Sequence, residues 1–491
     1  MRFNRLLLFD RGRQTLILVV WLAAALLPAQ TPETNRPWAY LLLDGSFLLD
    51  DCLICGRPTI EVPMRGTFSL RLIDQNSIGS RFAVENISFT AGSRYTVTGS
   101  GTFQFGGEVA VLQEMFLQVQ IYDGLTDKLC YFTNNSSNII RSWPMLDITL
   151  DQTNGTFTQT FQLRLTAAPV RDLWFSTVTD FAAVSGQATN KISDGDLLSL
   201  SGRVVKRNLE LAGQLGVNVP AGLDAVNILP GADIAFSLDQ DAFSEIFGPL
   251  QHGDLLSTKS GILQRNQDLL AAFTPQLPLG DAGLDAVQIL DSGEILFSIE
   301  TNVFSERLGI TLGPGDLLSN TGKIVRSNQQ LLARFQISDS SKDHGLDVLY
   351  IWPNGEIWFS TERGFTDLAL GPILAGDLLS DAGYIVFRNA DLLQAFAPVN
   401  QVSDFGLDAL YIVTDAAAQG APPQFTEIQS HPRSGNLSLA WKGAGRVFQL
   451  DWASALPGPF LPLSPILPDL SYQDLRALLD SAQGYYRLRQ W

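Results

Sequence analysis

Between residues 171 and 413 the polar and apolar positions follow one pattern four times over. The third copy shows it most fully: Gly345-Leu346-Asp347-Val348-Leu349-Tyr350-Ile351, Gly355-Glu356-Ile357-Trp358-Phe359-Ser360, Gly376-Asp377-Leu378-Leu379-Ser380 and Gly383-Tyr384-Ile385-Val386-Phe387-Arg388-Asn389. Apolar runs this short, each bounded by Gly, Pro, Asn or Asp, read as strands joined by tight turns. A Phe-Ser pair ends at Ser176, Ser237, Ser298 and Ser360; Gly-Asp-Leu-Leu-Ser begins at Gly195, Gly253, Gly315 and Gly376; Gly-Leu-Asp begins at Gly222, Gly283, Gly345 and Gly406. Copies recur every ~60 residues, a spacing that points to a solenoid or a propeller. Four strands and one short helix make up each unit. Asn208, Asn266, Asn328 and Asn389 stand where a helix cap would accept a first-turn N–H, and Glu210, Asp268 and Asp391 place carboxylates in that turn. The helix is expected to cover the outer edge strand.

The phase of the repeat decides between the two architectures. The series opens on the second strand type, Leu173-Trp174-Phe175-Ser176, and ends on the first, Leu407-Asp408-Ala409-Leu410-Tyr411-Ile412. A ring explains this, because the last strand completes the blade begun by the first and leaves no open sheet edge. The pattern therefore predicts a closed four-bladed β-propeller. The Leu-Asp strand is its innermost: both faces are apolar, and Ala225, Ala286, Ala409 and Val348 are small enough for strands crowding towards an axis.

The flanking segments complete an all-β reading. Residues 37–170 alternate apolar and polar positions, as in Phe157-Thr158-Gln159-Thr160-Phe161-Gln162-Leu163-Arg164-Leu165, and predict an antiparallel β-sandwich or barrel. Residues 414–423 are rich in Ala, Gly, Gln and Pro and read as a linker. Over 424–491, Trp441 late in an early strand and the Tyr486-Arg487-Leu488 strand resemble a truncated fibronectin type III domain, which implies a tyrosine corner and a spacing or attachment role. At the other end, Arg2, Arg5, Arg11 and Arg13 precede an apolar run from Leu16 to Leu27 and then Pro28-Ala29. Residues 1–29 thus predict a cleaved secretory signal, and a secreted, cell-surface or periplasmic protein with no membrane insertion once the signal is removed.

The order Asp-Ala, a Gly turn, an aromatic-rich strand ending near Phe, two further strands and a helix resembles the hemopexin repeat. That resemblance implies a four-bladed propeller with ions in its central channel, held largely by backbone carbonyls around the Asp-Ala pair. It gives Asp224, Asp285, Asp347 and Asp408 one reading as a ring of carboxylates or carbonyls around a cation such as Ca²⁺. The other reading is local: an Asp after Gly fixes a turn through a nearby backbone N–H. Asp196, Asp254, Asp316 and Asp377 in the Gly-Asp turns are weaker candidates, with Arg207, Arg265 and Arg388 expected to pair with them or to bind carbonyls.

The formal charge of −17 argues against nucleic acid or an anionic membrane as partner. Three cysteines lie in the first third; Cys52-Leu53-Ile54-Cys55 reads as a structural disulfide, leaving Cys130 over. No nucleophile elbow, phosphate loop, dinucleotide fingerprint or zinc-protease helix motif occurs, so no catalytic residue is assigned. A carboxylate pair for glycoside chemistry has no sequence signature and stays open. Trp174, Trp352, Trp358, Tyr350, Tyr384 and Tyr411 are either inter-blade core or a stacking platform for a glycan or protein. Three function classes follow: an exported non-catalytic binding or adhesion protein, a secreted carbohydrate-active hydrolase or lyase, and a structural envelope or matrix component.

Overall fold

A computed structural model describes residues 36–106, 112–134, 143–185, 188–338, 342–399, 402–417, 420–431, 435–475 and 484–491. The predicted signal, residues 1–29, lies outside them. Among the described residues no helix is long and apolar enough to cross a membrane.

Nine antiparallel strands form the N-terminal unit: β1 (Trp38–Leu42), β2 (Phe47–Asp51), β3 (Ile60–Gln75), β4 (Gly79–Ala91), β5 (Tyr95–Gly106), β6 (Leu112–Tyr122), β7 (Asp127–Thr133), β8 (Leu146–Gln152) and β9 (Thr160–Ala168). Each of β3 to β9 pairs with the next, and β1 and β2, lying end to end, both bridge β3 to β9. The sheet closes on itself, which selects the barrel over the sandwich and removes the free edges. Alternation, broken by bulges in β3 and β4, places one face inside, and Met64, Phe68, Phe89, Phe103, Met115, Leu117 and Phe132 fill the interior. Trp143 stacks on Phe105 at 5.0 Å and Phe82 at 5.3 Å between ring centroids.

Four four-stranded antiparallel sheets follow. The first consists of Arg203–Lys206, Leu197–Ser199, Asp172–Phe175 and, from the far end of the repeat, Leu410–Val413. Its register, Asp172↔Val413, Leu173↔Ile412, Trp174↔Tyr411 and Phe175↔Leu410, is the predicted closure. The innermost strands of the other blades are Val226–Leu229, Val287–Ile289 and Leu349–Ile351, and the four neighbour one another in a ring. Trp174, Trp352, Trp358 and Tyr411 are buried in the cores between blades, as core rather than platform.

Two features differ from the expectation. Every blade carries an extra two-stranded hairpin between its second and third strands, such as Ala242–Ser244 with Gly248–Leu250. In three blades their strands are only three residues long, too short to register as strands in the sequence, while the first blade's hairpin, Phe181–Ser185 with Ala188–Ile192, has five-residue strands. The second feature is the path of the helices α1 (Asn208–Ala212), α2 (Asn266–Leu270), α3 (Asn328–Leu331) and α4 (Asn389–Leu392), each of which directly follows an outer strand. They carry the chain from the outer strand of one blade back to the axis, and Leu211 and Leu269 pack into the cores between blades.

The C-terminal unit is a sandwich of two three-stranded sheets around Leu437, Leu439, Trp441, Phe448 and Leu450. The hydroxyl of Tyr486 donates to the side chain of Asp474 at 2.9 Å, instead of to an upstream backbone carbonyl. Nor does the unit hang from a loose linker. Asp415 is buried, paired with Arg171 at 2.7 Å and bonded by the Trp491 indole at 3.1 Å, while Gly231 N–H donates to the Gly445 carbonyl at 2.7 Å. The barrel is fastened as well, through Arg65, which bridges Asp44 and Asp391, both at 2.9 Å.

Candidate metal centre

The Gly-Leu-Asp turns begin each innermost strand, and three repeated contacts aim their aspartates at the axis. Gly222 and Gly283 have φ of +72° and +78°, where a side chain would be strained and its Cβ would strike Asp239 or Glu300. The serine ending the second strand of each blade then reaches into the next blade. Ser176 donates to the Leu223 carbonyl at 3.0 Å, Ser237 to Leu284 at 2.8 Å, Ser298 to Leu346 at 2.7 Å and Ser360 to Leu407 at 3.3 Å. The Ala225, Ala286 and Ala409 carbonyls accept the N–H of Ser237, Ser298 and Ser176. Carbonyls on both sides of the Asp are thereby engaged within the protein, and carboxylates are left to meet at the centre.

Helix asparagines hold these turns from outside. Asn266 Nδ2 donates to the Gly283 carbonyl at 2.9 Å and its Oδ1 accepts from Ala282 N–H at 3.0 Å; Asn208 and Asn389 do the same at Gly222 with Ala221 and at Gly406 with Phe405. These asparagines are the first helical residues, not caps. The first helical N–H groups are met from the Gly-Asp turns: Asp196, Asp254, Asp316 and Asp377 accept the N–H of Asn208, Asn266, Asn328 and Asn389 through one oxygen, and a turn N–H through the other, while Ser327 caps α3 by accepting the Gln330 N–H. Arg207, Arg265 and Arg388 pair with three of them at 2.5, 2.5 and 2.8 Å and also donate to carbonyls. Asp316 has Ser327 in place of the arginine, and its burial raises its pKa. These four acids are structural and lie away from the axial cluster.

Asp224, Asp285, Asp347 and Asp408 are all buried and are brought together, though not as one equal ring. Asp224, Asp347 and Asp408 offer oxygens that all lie within 4.8 Å of one another; Asp285 joins Asp224 and Glu300 in a second such set. Glu362 is hydrogen-bonded to Asp285. Glu300, Glu362 and Asp239 were not singled out in the sequence, although the position two residues after each Phe-Ser pair, occupied by Val178 in the closing blade, was there to be read. Among the described residues no lysine or arginine pairs with the four aspartates. Burial, followed by mutual repulsion, pushes the carboxyls of Asp224, Asp285 and Asp347 well above the usual range, and burial does the same at Asp408. One oxygen each of Asp224 and Asp285 is buried without a hydrogen-bond partner, which is costly unless something cationic or a proton meets it.

Beside Glu300, His252 Nε2 stands 3.6 Å from that carboxylate and 3.8 Å from Asp281, while its Nδ1 bonds Asp241 at 2.9 Å. Burial alone would lower the imidazole pKa, but these three carboxylates carry it above its usual value. The cluster fits a hard cation: its ligand atoms are all carboxyl oxygens, and two of them lack partners. In the barrel, Cys52 and Cys55 are joined by a disulfide with Cα atoms 5.5 Å apart, and Cys130 is free and buried.

No family model matches the chain, and no curated protein does. Among solved structures, the extracellular domain of a protein assigned as a hybrid two component system of B. thetaiotaomicron is similar over 91% of this chain and 83% of its own, at 10% identity and a TM-score of 0.18. A score that low supports no conclusion about fold or function.

Proposed function

We propose that this chain is an exported, non-catalytic binding protein whose propeller, hemopexin-like in plan, is pinned at its axis by Ca²⁺ held on aspartate carboxylates. One observation carries the cation: four buried aspartates converge, two of them with partnerless oxygens, and among the described residues no lysine or arginine pairs with them. Ionised acids so placed repel each other; a divalent ion converts that repulsion into cross-links among all four blades. The blade hairpins then form the outward surface for a protein or glycan partner, with Phe243, Ile246 and Leu368 exposed on them. The C-terminal unit, fibronectin III-like in this reading, braces the ring. The hydrolase or lyase alternative lacks support from the axial acids, because a glycan cannot reach carboxylates this deeply buried.

The test is calorimetric titration of Ca²⁺ into the EGTA-stripped full chain, with thermal melts alongside. A ligand at a hundred times its Kd stabilises by about 2.7 kcal/mol, several degrees for a domain of this size. Absence of binding at millimolar Ca²⁺ would overturn the cation reading. A glycan panel and envelope extracts passed over the immobilised chain, with and without EGTA, test the binding role, and turnover of a captured glycan would overturn its non-catalytic character.

A further inference from the structure

The axial acids are two overlapping sets of ligands, not one ring. Opposite ligands of a Ca²⁺ ion, each at about 2.4 Å, stand about 4.8 Å apart. Asp224, Asp347 and Asp408 fit one ion by that measure; Asp224, Asp285 and Glu300 fit another. We propose that the channel holds two divalent cations in line, an inner one on Asp224, Asp347 and Asp408 and an outer one on Asp224, Asp285 and Glu300, with the Asp224 carboxylate bridging them.

Charge and hydrogen bonding support this. With Glu300 and Glu362, the cluster holds six carboxyls. One divalent ion on the inner set leaves Asp285, 5% exposed and hydrogen-bonded to Glu362 on one side, with a partnerless oxygen on the side it shares with Asp224 and Glu300. A second ion meets that oxygen and removes the repulsion. A carboxylate contributes two oxygens, so Asp224 can serve both ions; shared carboxylates set paired metals roughly 3.5–4 Å apart. Glu300 gives the outer site its identity, since Val178 and Asp239 hold the corresponding place in two other blades and belong to neither set.

This inference rests on the cation reading above, and its test separates the two. Bound Ca²⁺ is counted by elemental analysis and calorimetry on the EGTA-stripped full chain. Two ions per chain are expected, falling to one in Glu300→Gln with the tighter step retained. A wild-type count of one, unchanged in Glu300→Gln, would overturn the second site and leave the first. A count of zero would sink both. Should the variant not fold, Mn²⁺ electron paramagnetic resonance on the wild type decides: at two equivalents a carboxylate-bridged pair gives an exchange-coupled signal, and isolated six-line spectra alone would refute the pair.

Discussion

The Ser360 hydroxyl donates to the Leu407 carbonyl at 3.3 Å, joining the fourth blade to the innermost strand of the first, and the same bond recurs at every other blade boundary. These serines hold the residue just before each axial aspartate, so the bond that joins blades also places a carboxylate. Ser237→Ala should leave the buried Leu284 carbonyl unsatisfied and destabilise the chain by about 1–3 kcal/mol in chemical denaturation. It should also weaken Ca²⁺ binding. Unchanged stability would mean that the serine bond is incidental.

Closure makes the four blades one cooperative unit. Tyr411 pairs with Trp174, their rings tilted against each other at 5.7 Å, in the strand that completes the first blade. Tyr411→Pro removes a ladder N–H and should open that strand. In a ring, amide exchange protection should fall across all four blades, including the distant strands Val226–Leu229 and Val287–Ile289. Loss confined to residues 171–206 would indicate a linear stack.

The ring was legible in the sequence because its phase is a property of order alone: a series that starts on Leu173 and ends on Ile412 must join its ends or waste them. The convergence of Asp224, Asp285, Asp347 and Asp408 followed from the same register. The placement of Glu300 beside Asp224 and Asp285 was not visible, because an acid two residues past a Phe-Ser pair acquires meaning only once Gly283 brings the next turn against it. The asparagines were misread for a related reason. Asn at a helix start satisfies every local rule for a cap, and only the fold shows that Asp254 already fills that role and frees Asn266 for the neighbouring turn.

That distinction can be measured at Asn266. A cap tolerates Asp or Ser in place of Asn. Asn266 instead donates through Nδ2 to the Gly283 and Gly253 carbonyls and accepts from Ala282 N–H, all buried. Asn266→Asp keeps the acceptor but loses both donations and buries a charge beside Asp254. It should therefore cost about 2–4 kcal/mol, as much as Asn266→Ala, and lower Ca²⁺ affinity through the turn before Asp285. An Asp variant as stable as wild type would restore the capping role.

The barrel offers a pH-dependent contact independent of the axis. Asp123 accepts from Lys128 Nζ at 2.5 Å and from the N–H groups of Thr126 at 2.9 Å and Leu125 at 3.0 Å, closing the turn between β6 and β7. The Lys128 bond first, then the Thr126 N–H, hold its carboxyl well below the usual carboxylate range. A depressed folded pKa contributes stability above the unfolded value, near 4, and that contribution is lost as pH falls through the folded one. Asp123→Asn keeps an acceptor for the turn N–H groups and loses the charge. Wild type should exceed it by roughly 1–2 kcal/mol at pH 7, and the gap should close as the pH is taken below 4. Denaturation at pH 7 and at pH 3 checks this, and a gap that stays constant would show that the ion pair does not set the stability of the turn.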